Sequence, residues 1–218
     1  MLTESHLFCA ISFYNPAHVT YSRQYHRMKG RSSGYLRIIG GRWRGRKLPV
    51  PDVDGLRPTP DRVRETLFNW LTNDCPGASV LDCFAGTGAL GFEALSRGAA
   101  RLTLIESEKR AFSNLQKQAD RLQADSVSVM RGNALELIPQ LDQKFHLVFI
   151  DPPYALATLR EQVMLLLEQH QRLHQGAKIY FEWPQGEAID LESSHLTGLK
   201  QKKAGQVNYA IAEWRVSR

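Results

Sequence analysis

The stretch Ser79–Leu95, SVLDCFAGTGALGFEAL, decides the fold. Its first residues are β-prone and apolar, its centre is glycine-rich, and its end is helix-forming. Gly86, Gly88 and Gly91 satisfy G-x-G-x-x-G between a strand and a helix, the context in which a backbone turn cradles a nucleoside-bearing cofactor. Glu106 closes the next apolar run 20 residues after Gly86, where an acid that binds ribose hydroxyls belongs.

Outward from this unit, strand and helix patterns alternate with short connections. Strands are expected at 79–83, 101–106, 126–130, 145–151 and 177–182, and helices at 88–97, 108–123, 134–141 and 156–173. In the helix at 108–123, Phe112, Leu115, Ala119 and Leu122 recur on one side. Runs such as FHLVFI are almost wholly apolar, as a parallel sheet covered on both faces requires. The tail LKQKKAGQVNYAIAEWRV reads as two strands about Gly205, closing the sheet with an antiparallel edge. The expected fold is a doubly wound, Rossmann-like α/β domain over residues 76–218, with ligands at the carboxyl ends of its strands.

Ahead of it, residues 35–75 form a smaller unit. YLRIIGGRWRGRKLPV reads as a hairpin displaying Arg42, Arg44 and Arg46. In RPTPDRVRETLFNWL, Thr59 is expected to cap a helix that starts at Pro60 and turns Val63, Leu67, Trp70 and Leu71 to one side. Residues 1–34 read as a weakly ordered arm, with Met28 a plausible alternative start of translation.

The chain of 218 residues is 43% hydrophobic and 23% charged, ordinary values for a soluble protein. No apolar run reaches the ~20 residues of a membrane helix. The three cysteines, Cys9, Cys75 and Cys83, show no Cys-x-x-Cys spacing, which suits a reducing cytoplasm and speaks against disulfides and zinc. His170 and His174, one turn apart on an expected helix, lack a third ligand, so no metal is expected.

Net charge is +6, and its placement is uneven. Residues 1–70 hold 12 Lys/Arg against 5 Asp/Glu, whereas 71–218 hold 16 against 17. Between Arg23 and Lys47 nine bases occur without one acid. Such a block is the footprint of a polyanion binder, since each phosphate contact releases counterions. Arg37, Arg42, Trp43, Arg44, Arg46 and Lys47 are the residues expected to meet nucleic acid, with Tyr35 adding a second aromatic.

Asp82 narrows the cofactor. A carboxylate beside the glycine turn would repel a pyrophosphate by roughly 1 to 4 kcal/mol and attract a cation. S-adenosylmethionine carries an ammonium and a sulfonium and no phosphate, so the sign favours it over a dinucleotide. Asn133 can donate and accept as an adenine edge demands, and with Glu136 it also forms a possible helix capping box.

IDPPY, Ile150–Tyr154, ends the fourth strand at the same edge. Asp151 and the Pro152 carbonyl can each accept one N–H of an exocyclic amine, drawing its lone pair out of conjugation. Pro152 and Pro153 hold the backbone rigid, and Tyr154 offers an extruded base a stacking face. These residues are the expected catalytic set.

Together DCFAGTGALG, RPTPDRVRETLFNWL, IIGGRWRGRKLPVP and IDPPY resemble the RsmD family, bacterial methyltransferases that modify guanine N2 in 16S ribosomal RNA. The resemblance covers about Leu36 to Val216. DPPY is shared with adenine-N6 enzymes; the Arg-rich hairpin joined to the RPT…RVRE helix is more specific. The resemblance implies that Arg57 to Arg64, Thr59 included, cover the methionine end of the cofactor. It also implies that Phe84, Gly86, Thr87 and Gly88 wrap the cofactor, Glu106 takes the ribose, Asn133 and Ala134 meet adenine, and Asp151 to Tyr154 grip the guanine. A cytoplasmic monomer acting on small-subunit RNA is the implied protein. Its rivals are an adenine-N6 methyltransferase, an NAD-dependent oxidoreductase and a non-catalytic RNA-binding assembly factor.

Overall fold

The computed structural model describes residues 34–53, 55–56, 58–152, 158–187 and 195–216. Residues 1–33 of the arm, Arg57, Pro153 and Tyr154 therefore lie outside the described residues.

A two-stranded ribbon opens the chain. β1 (Tyr35–Arg37) pairs antiparallel with β2 (Lys47–Pro49), with Leu36 opposite Leu48 on the buried side. Between them Gly41–Trp43 form a single 3₁₀ turn. α1 (Asp61–Trp70) follows. Pro60, with φ −56° and ψ 144°, is extended rather than helical, so it and not Thr59 occupies the cap position. Asp61 then sets a negative charge at the helix's positive end. Val63, Leu67, Phe68 and Leu71 are buried, and Trp70 is half-buried, stacked on Tyr209 at 5.7 Å.

The main sheet comprises β3 (Ser79–Asp82), β4 (Arg101–Glu106), β5 (Val127–Arg131), β6 (Phe145–Ile150), β7 (Leu173–Pro184), β8 (Leu196–Ala204) and β9 (Val207–Trp214). Its spatial order is β5-β4-β3-β6-β7-β9-β8; β3 to β7 run parallel, and β9 is antiparallel to both β7 and β8. The chain winds outward from β3 through β4 to β5, then returns to β6 on the other side. The switch point between β3 and β6 opens a crevice at their carboxyl ends.

Strand alternation divides the core into two layers. Val80, Leu104, Leu147, Phe149, Tyr180 and Tyr209 face α1, α2 (Ala89–Ser96) and α3 (Lys109–Leu122). Leu81, Ile105, Val148, Ile150, Ile179 and Phe181 face α4 (Ala134–Leu137) and α5 (Thr158–Gln169). On α3 the fully buried stripe is Ala111, Leu115, Gln118 and Leu122, while Phe112 and Ala119 lie at its margin. Gln118 is drawn inside because its amide donates to the Pro49 carbonyl of the ribbon at 3.0 Å.

Two expected helices are shorter than their patterns. Pro139 converts the segment after α4 into a 3₁₀ turn, Ile138–Gln140. α5 stops at Gln169, and Gln171 takes a left-handed φ of 53°. His174 therefore belongs to β7, where its ring stacks on His146 at 3.8 Å instead of standing one helical turn from His170. β7 is correspondingly longer than expected, pairing Leu173 with Phe145 before its register shifts.

Candidate active site

The glycine turn is built for close approach. Gly86 and Gly88 have φ of 52° and 78°, values that strain any other residue. A side chain on Gly86 would meet Leu56, which lies over the turn at 3.0 Å from the Cβ position. Gly88 and Gly91 serve packing, because a Cβ would come within 2.5 Å of Phe92 on the first and 2.6 Å of Leu104 on the second. Thr87 is buried behind the turn, and Phe84 is half-buried at its start.

Glu106 holds the turn from the neighbouring strand. Its two carboxylate oxygens accept from the Gly86 and Glu108 N–H groups, each at 2.7 Å. Asn133 caps α4, its side-chain oxygen accepting from Leu135 N–H at 3.0 Å, so the capping role is realised and the amide –NH₂ remains to offer. Ala134 is buried, leaving its main chain as the part it can present. Thr59 contributes its carbonyl to Arg64 Nε at 3.1 Å.

The strand ends carry an arrangement that sequence reading missed in part. Glu106 ends β4, Asp82 ends β3, Asp151 follows β6 and Glu182 lies near the end of β7. By alternation all four share the face of Val80, Leu104, Phe149 and Tyr180. Four neighbouring strands thus form a rim with one carboxylate each. Glu182 was not singled out because its segment, YFEWP, has no motif; only the pairing of Ile150 with Phe181 sets it beside Asp151.

The rim's electrostatics follow from burial and like charge. Burial pushes Asp82 up to about 7, partly offset by the Gly91 and Phe84 N–H groups, and Glu106 adds to the rise. Asp151 retains some open surface, but its carboxyl is enclosed by protein. That enclosure, then Glu182 and Asp82, raise its pKa well above the usual range, against the pull of Arg160. Glu182 is raised by burial and accepts from the Tyr180 hydroxyl at 2.5 Å. A rim that gains so much from a positive partner fits a cationic cofactor and opposes a pyrophosphate.

The ribbon residues separate into two groups. Arg37, Arg42, Arg44, Arg46 and Lys47 are exposed. Trp43 is not: it is 6% exposed, its backbone N–H donates to Ser96 Oγ, and the Arg42 guanidinium lies 3.9 Å from its ring centroid. A base cannot stack on it, so its place is in the core, as the apolar anchor of the ribbon. Nor do the tip arginines reach the rim. Arg46 Nη1 touches the Arg121 carbonyl near the far end of α3, and α3 spans roughly 20 Å from the glycine turn's edge of the sheet.

A glycine turn under Leu56, an acid holding that turn and an aspartate-proline pair at the switch point make one site. The family model described as conserved hypothetical protein 95 matches residues 36–213. The chain is 47% identical over 179 residues to the ribosomal RNA small subunit methyltransferase D of Escherichia coli, covering 82% of this chain and 90% of that one. The chain belongs to the RsmD family. A relative of the same name from Haemophilus influenzae is 42% identical over 184 residues, covering 83% of this chain and 94% of that one. The structure of the Escherichia coli protein yhhF superimposes with a TM-score of 0.75 at 45% identity, covering 84% of this chain and all of that one. As an RsmD-family fold, the ribbon, α1 and the sheet through β9 lie within the matched region but for the first residue of β1 and the last of β9. Among the described residues, no three His, Cys, Asp or Glu side chains are grouped to hold a metal ion.

Proposed function

We propose that this chain transfers a methyl group from S-adenosylmethionine to the exocyclic N2 of a guanine in 16S ribosomal RNA of the small subunit. The observation that carries the reading is the rim: Asp82 and Asp151 flank the switch point on one face, with Glu106 holding the glycine turn beside them.

When bound, S-adenosylmethionine supplies an electrophilic methyl on a positively charged sulfur. The residues suited to hold it are Glu106 for the ribose, the Phe84–Gly88 turn and Asp82 for the cationic end, and the α4 cap at Asn133 and Ala134 for adenine. Asp151 and the Pro152 carbonyl are the acceptors for the two N–H groups of the amine, fixing the direction of its lone pair. Such positioning can contribute on the order of 7 to 11 kcal/mol. Methylation leaves one amine proton to be lost, and an Asp151 carboxylate that already accepts one N–H of the amine is placed to take it. Arg57, Pro153 and Tyr154 belong to the same reading by resemblance.

The test is incorporation of labelled methyl from S-adenosylmethionine into small-subunit particles that lack the modification, followed by nucleoside analysis. N2-methylguanosine in the 16S RNA is expected. Label in N6-methyladenosine would transfer the reading to the adenine enzymes that share this loop, and no label would reject it.

A further inference from the structure

The rim poses a problem for the substrate this reading assigns. Glu106, Asp82, Asp151 and Glu182 line the edge that the target nucleotide must approach, and a phosphate laid within a few ångströms of one ionised carboxylate is repelled by roughly 1 to 4 kcal/mol. The RNA backbone has to be held beside this edge rather than upon it. The tip arginines of the ribbon stand roughly 20 Å away along α3, so they can orient the RNA but cannot support the nucleotide that enters.

Cations do flank the rim on its other side. β8 and β7 are both antiparallel to β9, so β8 runs with β7 and its last residues lie at the same edge as Glu182. Lys200, Lys202 and Lys203 on β8 are exposed. Lys202 pairs with Tyr209, and Tyr209 pairs with Glu182, making one row across three strands. Asp151 follows Ile150 as Glu182 follows Phe181, so roughly three strand spacings of ~4.8 Å separate Lys202 from Asp151. Lys200 and Lys202 pair with Ile211 and Tyr209 and so project to the rim's face, while Lys203, paired with Asn208, projects to the opposite one.

We infer that β8 is a second RNA-binding element, its lysines Lys200 and Lys202 holding the phosphates that flank the nucleotide delivered to Asp151, with Lys203, one residue from the strand's end, adding charge at the same edge from the opposite face. The inference rests on the reading that this chain acts on RNA. The rival is that edge-strand lysines only prevent another sheet from pairing there. The two roles differ in their dependence on salt: a guard needs no nucleic acid, whereas a lysine bound to phosphate leaves a counterion signature.

The experiment measures binding of a 16S-derived RNA fragment, and of small-subunit particles, across a salt series, with the full chain and a triple variant K200A/K202A/K203A. Affinity is expected to fall at least about tenfold, and the slope of log affinity against log salt to shrink by about 2, near 0.7 to 0.9 for each phosphate no longer neutralised. KM for RNA should rise while affinity for S-adenosylmethionine, read by thermal shift, stays at the wild-type value. The arginine triple K200R/K202R/K203R should restore binding and slope. Unchanged affinity and slope in K200A/K202A/K203A would overturn the inference, and self-association of that variant in gel filtration would then assign these lysines the guard role. Salt-dependent RNA binding that requires the lysines, in a protein that methylates nothing, would sink the proposed reaction and leave the surface standing. No RNA binding by the wild-type chain would remove both.

Discussion

At the scale of single residues the site is a set of carboxylates held where their charge is costly. Asp82 shows the balance: its pKa of about 7 against an ordinary 3.8 means the folded chain prefers it protonated. The stabilisation from that proton is complete below about pH 4 and lost as pH rises through 7, amounting to on the order of 4 kcal/mol. The variant D82N should therefore unfold at higher temperature than wild type above pH 7 and at a similar one below pH 4, by calorimetry across pH. It should also bind S-adenosylmethionine more weakly, and lose the rise in affinity with pH that wild type shows near 7, in equilibrium dialysis. Asp151 is the complementary case. D151A should lose methyl transfer by at least about a hundredfold, the scale of a positioned acid–base group, while cofactor affinity by dialysis falls only modestly. Normal turnover in that variant would reject the chemistry. Both aspartates were legible in the sequence, Asp82 because it adjoins the glycine motif and Asp151 because it belongs to IDPPY, whereas Glu182, equally placed on the rim, has no motif beside it.

At the scale of elements one buried acid gathers several of the bonds that hold the ribbon to the sheet domain. Glu93 of α2 accepts from the Ile39 and Gly40 N–H groups at 2.8 Å, from Arg97 Nε at 2.8 Å and from Arg64 Nη1 at 3.4 Å. Arg64, 1% exposed, also reaches the Arg37 carbonyl and Asp61. E93A leaves that guanidinium without its buried partner, so a loss of about 3 to 5 kcal/mol is expected in urea unfolding. Gly41 belongs to the same joint: its φ is 73°, and a side chain would run into the Ser96 carbonyl. Periodicity located α1 and its apolar stripe, but nothing in it marks Arg64 as a buried residue. Its burial depends on Glu93, 29 residues away. Trp43 has the same cause in reverse: among arginines it looks like a stacking surface, and the docking of the ribbon on α2 turns it inward.

At the scale of the whole molecule the charge is sorted by position. The carboxylate rim sits at the switch point, the tip arginines of the ribbon near the far end of α3, and the lysines of β8 along the outer edge of the sheet. A cationic ligand should stabilise the fold where an anionic one does not. In thermal-shift titration, S-adenosylmethionine at a hundred times its Kd should add about 2.7 kcal/mol, whereas NAD at equal concentration should leave the transition in place. Among the described residues no helix is long and apolar enough to cross a membrane. The sequence by itself determined the winding of the sheet, the glycine turn, the acid at the end of β4 and the aspartate-proline strand end, because each is a local pattern with a local physical cause. Only the tertiary structure decided that Glu182 completes the rim, that Trp43 and Arg64 are buried, and that the end of β8 lies at the rim's edge of the sheet. Those facts depend on strand order and on partners far apart in the chain, and a charge count by segment averages them away.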